Sequence, residues 1–126
     1  MPTRTLLTYT ETLAVPDLAD LYSRLGIEVV RVDSVRKALA AVKRAPPDFI
    51  LAEFVYAWGN NYASCQIGNL DSLLASLPKY APKARVILFA QRAELAQARR
   101  LGTFYPLHGI LPLPASADEV MALLVG

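Results

Sequence analysis

Apolar residues return along the chain in five short runs, from Thr5 to Thr10, Ile27 to Val32, Phe49 to Phe54, Arg85 to Ala90 and Gly109 to Leu113. The stretches between them carry the three-to-four-residue spacing of amphipathic helices, so the pattern predicts a strand followed by a helix five times over. Strands alternating with helices need crossover connections, which give a mostly parallel sheet covered on both faces. Pro16 suits the first turn of the first helix, and Gly26 suits the left-handed residue that closes it. Leu18, Leu21, Tyr22 and Leu25 share its inner face, with Asp17, Asp20 and Arg24 opposite. In the second helix Val35, Leu39 and Val42 face inward against a basic stripe of Arg36, Lys37, Lys43 and Arg44. Pro46-Pro47 ends it, because proline disfavours helical geometry in the residue before it. Asn69 is placed to cap the third helix, in which Leu70, Leu73, Leu74 and Leu77 pack before Pro78 breaks it. The fourth runs from about Arg92 to Leu101 and stops at Gly102. Ser116-Ala-Asp-Glu119 opens the fifth as a capping box, hydroxyl and carboxylate satisfying each other's backbone donors.

Strand composition orders the sheet. Phe49-Ile-Leu-Ala52 and Val86-Ile-Leu-Phe89 are continuously apolar, as expected of strands buried on both faces. The second run carries Glu28 and Arg31, and the fifth carries Pro112, which cannot donate to a ladder, so both belong at edges. The expected architecture is a single doubly wound (βα)5 domain over residues 1–126, with a parallel five-stranded sheet of order 2-1-3-4-5. Thr5, Thr8 and Thr10 make the first strand more polar than its central place predicts.

At 126 residues and 54% hydrophobic, the chain has room for one core and is too apolar for a disordered tail. A net charge of +2 is too small to imply nucleic acid or an anionic membrane, so neither is expected as a partner. The lone Cys65 forms no internal disulfide. No apolar run approaches the roughly 20 residues that span a bilayer, and the start lacks a signal peptide's apolar stretch, so a cytoplasmic location is expected.

Pro47-Asp48-Phe49-Ile50-Leu51-Ala52-Glu53 resembles the Pro-Asp, four apolar residues, Asp segment of bacterial response-regulator receiver domains. Gly109-Ile-Leu-Pro-Leu-Pro114, followed by a capped helix, resembles the family's Gly, two apolar residues, any residue, Lys-Pro. The resemblance runs over essentially the whole chain and implies a CheY-like, flavodoxin-like fold and a place in phosphorelay signalling. It also assigns positions. Glu53 falls where the family has its phosphoacceptor Asp, and Thr10 and Glu11 lie nearest the acidic pair after the first strand. Ala90 takes the place of a Thr or Ser, and Leu113 that of a Lys. Receiver phosphorylation needs a short carboxylate beside a divalent cation, with a hydroxyl and an ammonium to receive the phosphoryl charge. Thr10, Glu11, Glu53, Ala90 and Leu113 therefore read as a vestigial pocket in a pseudo-receiver that is neither phosphorylated nor catalytic, with no metal and no cofactor. Glu53 is open to two readings, an imitation of phosphorylated Asp or an ordinary rim carboxylate.

The segment from Phe54 to Gly68 is the most unusual part of the sequence. Phe54, Tyr56, Trp58 and Tyr62 fall within it, and Gly59-Asn60-Asn61 marks a tight turn. Long loops in compact domains are more often functional than accidental, and Tyr and Trp are frequent interface anchors. Tyr56, Trp58 and Tyr62 are the candidate partner-binding residues, the other reading being that these aromatics fold back over the emptied pocket. Val120, Met121, Leu123, Leu124 and Val125 leave the last helix almost without a polar side, so it wants burial on both sides. The resemblance to receiver domains, which often pair through their last two helices, implies a homodimer there, the other reading being cover by a neighbouring domain. His108 and Cys65 lack the neighbours of a catalytic group and read as structural. The expected function is a protein–protein interaction module of bacterial signal transduction that is not an enzyme. The alternative is a sensor holding a flat flavin- or quinone-like ligand against the loop 54–68.

Overall fold

The computed structural model describes residues 4–10, 18–55 and 70–125. Its strands are β1 (Arg4–Tyr9), β2 (Ile27–Val32), β3 (Phe49–Glu53), β4 (Arg85–Gln91) and β5 (Gly109–Leu113). They alternate with α1 (Ala19–Arg24), α2 (Val35–Arg44), α3 (Asp71–Tyr80), α4 (Leu95–Phe104) and α5 (Ala117–Val125), a single 3-10 turn at Arg92–Glu94 leading into α4. All pairings are parallel and the order is β2-β1-β3-β4-β5, as the strand compositions predict. The edge strands are the ones with Glu28 and Arg31 and with Pro112. In the central strand β1, Thr8 is buried among apolar neighbours, while Thr5 and Thr10 are half-buried toward its ends.

Alternation along the buried strands splits the core into two layers. On one side Leu7, Ile50, Val86 and Leu88 pack beneath α2, α3 and α4, which contribute Ala38, Val42, Leu73, Leu74, Ala98 and Leu101. On the other side Leu6, Phe49, Leu51, Ile87 and Phe89 meet Leu21 and Tyr22 of α1 and Val120 and Leu124 of α5. Each fully buried leucine or isoleucine contributes roughly 1.5–3 kcal/mol, a gain shared between the central strands and the helices that cover them.

The helix ends follow the sequence in part. Gly26 has φ 70° and closes α1, α2 ends at Arg44 before Pro46-Pro47, and Ser34 caps α2 by accepting from Lys37 N at 3.1 Å. The capping box of α5 is complete, with Ser116 N donating to Glu119 Oε1 at 3.0 Å and Glu119 N to Ser116 Oγ at 3.1 Å.

Three expectations need correction. The residue at the cap of α3 is Leu70, which makes no side-chain cap, and Asn69 lies outside the described residues. Pro78 does not break α3, which continues to Tyr80. Proline forfeits one hydrogen bond there but only a residue or two of helix remains to lose, and Ala81 N still donates to Leu77 O at 2.7 Å. Gly102 does not end α4, which runs on to Phe104. It lies inside the helix beside Leu107, whose Cδ1 would stand 3.2 Å from a Cβ there.

Candidate functional site

Ligands of doubly wound sheets lie outside the carboxyl ends of the strands, where the strand order reverses. Here that point falls between β1 and β3, at Thr10 and Glu53. Glu53 is paired in register with Phe89, and the ladder is carried one step further by Phe54 N donating to Phe89 O at 2.7 Å. On β1 the ladder likewise continues past the strand, as Thr10 N donates to Val32 O at 3.4 Å. These bonds hold the ends of the central strands rigid.

Alternation along β3 sets Glu53 on the same side as Phe49 and Leu51, facing the α1 and α5 layer. Glu53 is only 3% exposed. Of the ordinary rim carboxylate that one reading of the sequence expects, hydrogen-bonded or solvated, burial leaves only the hydrogen-bonded form. On that face its register partner is Phe89 of β4, while Leu113 of β5 and Thr8 of β1, two residues before Thr10, are buried on the same side of the sheet. Ala90 lies in the opposite layer with Ala52 and Phe54. The structure therefore brings Glu53 and Leu113 to one face, with Thr10 half-buried at the end of β1, and turns Ala90 away from them. Glu11 lies outside the described residues. A carboxylate in an apolar layer is costly unless it is paired, and Glu53 is engaged with a partner.

Sequence reasoning missed a second buried acid. Asp71, the first residue of α3, is 8% exposed and also engaged with a partner. Thr8, Glu53 and Asp71 are the buried polar residues among those described, and all three lie toward the carboxyl end of the sheet. Asp71 sits in the first turn of its helix, a position that favours negative charge, and the spacing of an acid just ahead of Leu73-Leu74 is the signal that marks it. At the same end Lys37 reaches back to Asp33 at 2.9 Å across an exposed turn. The hydrogen bond from Lys37, and then its charge, hold the Asp33 carboxyl below its ordinary value. Among the described residues, no three His, Cys, Asp or Glu side chains gather into a metal-binding group.

Of the aromatic segment, Phe54 is 1% exposed in the core beneath α2–α4, which removes it from the recognition loop. Tyr56, Trp58 and Tyr62 lie outside the described residues, as does Cys65. His108 has a structural partner, its Nε2 hydrogen-bonding Leu123 O at 2.8 Å. On α5, Val120 and Leu124 are buried while Met121 and Val125 are 36% and 61% exposed, so one side of that helix is apolar and open.

No protein-family model and no curated protein matches the chain. Solved structures do. The chemotaxis response regulator CheY4 of Vibrio cholerae superimposes with a TM-score of 0.71 at 14% identity, covering 98% of each chain. A response regulator receiver domain protein from Clostridium thermocellum gives 0.71 at 16% identity, over 97% of this chain and 91% of that one. NtrX from Brucella abortus gives 0.74 at 16% identity over 98% of this chain, which spans only 26% of NtrX. At these identities the likeness is one of fold, and the fold is that of response-regulator receiver domains. No helix among the described residues is long and apolar enough to cross a membrane.

Proposed function

We propose that this chain is a pseudo-receiver, a domain that signals through protein–protein contact in a bacterial pathway without being phosphorylated and without catalysing a reaction. One observation supports this above others: Glu53 shares its face with the buried Leu113, where phosphoryl transfer would want an ammonium. Ala90 offers no hydroxyl and belongs to the other layer. With the phosphoryl chemistry unsupported, the fold serves as a rigid display, and function rests on its surfaces. The surfaces assigned to partners are the loop carrying Tyr56, Trp58 and Tyr62, and the last two helices. The open side of α5 at Met121 and Val125 favours a homodimer there.

The test is a heteronuclear NMR spectrum recorded with magnesium and either acetyl phosphate or beryllofluoride. The expected spectrum is unchanged by both. An acyl phosphate located on Glu53 by mass spectrometry overturns the proposal.

A further inference from the structure

The near-neutral net charge conceals a strongly polarised molecule. In a parallel sheet every strand starts at one end, and the helices that return the chain finish there. Arg24 is the last residue of α1, Lys43 and Arg44 close α2, and Lys79 lies in the last turn of α3. Arg4 and Arg85 open β1 and β4, with Lys83 in the turn before β4. The acids at this end are Glu28 and Asp48. Among the described residues the opposite end holds Asp20, Asp33, Asp71, Glu94, Asp118 and Glu119, each just before or within the first turn of a helix, against the bases Arg36, Lys37 and Arg92.

Bases at helix C-termini and acids at N-termini complement the helix dipoles, which accounts for Arg24, Lys43, Arg44 and Lys79. It does not account for Arg4, Lys83 and Arg85, which sit on strands and a turn. These three line one cavity of about 210 Å³ with Asp48 and Phe49. Its walls are braced by backbone bonds, Asp48 N donating to Thr5 O at 2.9 Å and Arg85 N to Asp48 O at 3.0 Å. The Asp48 carboxylate takes the Thr5 N–H at 2.8 Å, so the one acid in the cavity is already engaged. Arg4 is held in place, its guanidinium 5.9 Å from the Phe49 ring centroid and one N–H donating to Leu124 O at 3.1 Å. Lys83 and Arg85 have no ion-pair partner among the described residues.

Three cations around one engaged carboxylate leave a surplus of positive charge over a small polar hollow. The volume is below the roughly 300–1,000 Å³ of sites for drug-sized ligands, so the occupant is a compact anionic group. A fixed guanidinium with free N–H donors beside a second guanidinium and an ammonium suits tetrahedral oxyanions. We infer that this cavity, at the end of the sheet remote from Glu53, binds a phosphate group, presented by a free phosphoester or by a phosphomonoester lipid headgroup.

The experiment titrates the full chain with inorganic pyrophosphate, following backbone amides by NMR, and in parallel with vesicles of phosphatidylcholine with or without phosphatidic acid. The double variant Lys83→Gln/Arg85→Gln is the probe. Both side chains are exposed, so a melting curve verifies folding, and Lys83→Gln alone serves if the pair destabilises the strand. Arg4 is left intact because it also holds α5. Pyrophosphate shifts at residues 4–5, 48 and 83–85 that weaken at least about tenfold in the variant establish a free-phosphate site. Binding confined to phosphatidic acid vesicles and lost in the variant establishes a lipid site. The inference fails if neither probe binds, or if the variant binds as the wild type does. It fails equally if Arg36→Gln/Lys37→Gln, at the other end of the molecule, weakens binding as much.

Discussion

A Cβ placed on Gly109 would stand 2.7 Å from Leu123 Cδ1, so the last helix rests directly on the backbone of the edge strand β5. Cδ2 and Cγ of the same side chain stand at 3.2 and 3.5 Å, so turning one methyl aside is not enough and the whole Leu123 side chain must shift. Gly109→Ala is therefore expected to destabilise the fold by about 1–3 kcal/mol, the usual cost of overpacking. Urea unfolding monitored by circular dichroism measures it, and a variant as stable as wild type contradicts the packing described.

Gly102→Ala should go the other way. The new methyl meets Leu107 Cδ1 at 3.2 Å, but that is the far end of a half-buried side chain that can rotate aside. Inside a helix alanine is favoured over glycine by about 1 kcal/mol. A gain of up to about 0.5–1 kcal/mol is expected in the same unfolding assay, so two glycine replacements in one molecule have opposite signs.

Ser116→Ala removes the hydroxyl that receives Glu119 N. A loss of about 1 kcal/mol is expected, with faster amide exchange in the first turn of α5. Ser116→Asp keeps an acceptor at the same place and should lose little. Equal losses in the two variants would count against the capping box.

The Asp33 carboxyl titrates below its ordinary value of 3.8, chiefly through the hydrogen bond from Lys37. Because folding lowers this pKa, the pair stabilises the folded chain above the unfolded value, and the contribution disappears as pH falls through the lower folded one. Carbon-detected NMR titration of Asp33 reads the midpoint directly. Lys37→Ala should raise it to the ordinary value, and high salt should shrink the difference, since the pair is fully exposed to solvent.

The strand order was legible because it depends on composition: Pro112 and the charges Glu28 and Arg31 mark edges, whatever the rest of the fold does. The capping box was legible because it is local. Pro78 and Gly102 misled as helix breakers because their meaning is set by what surrounds them. Pro78 comes when the helix is nearly complete, and Gly102 answers to Leu107 from the next turn of the chain. Asp71 and the burial of Glu53 depend on how strand ends and helix starts converge, which spacing does not encode. The cavity of Arg4, Lys83 and Arg85 escaped for the same reason, since two of its three cations are separated from the first by most of the chain. A total charge of +2 gives no hint of where the charges lie.

Arg4, on the first strand, and Leu124, in the last helix, are joined by one hydrogen bond across 120 positions of sequence. The polypeptide thus enters and leaves through the same doorway. A segment joined ahead of β1 or after α5 sets out from that end, remote from Glu53. A fold wired in this way can be set into a longer host chain like a cartridge, its two connections side by side at that end.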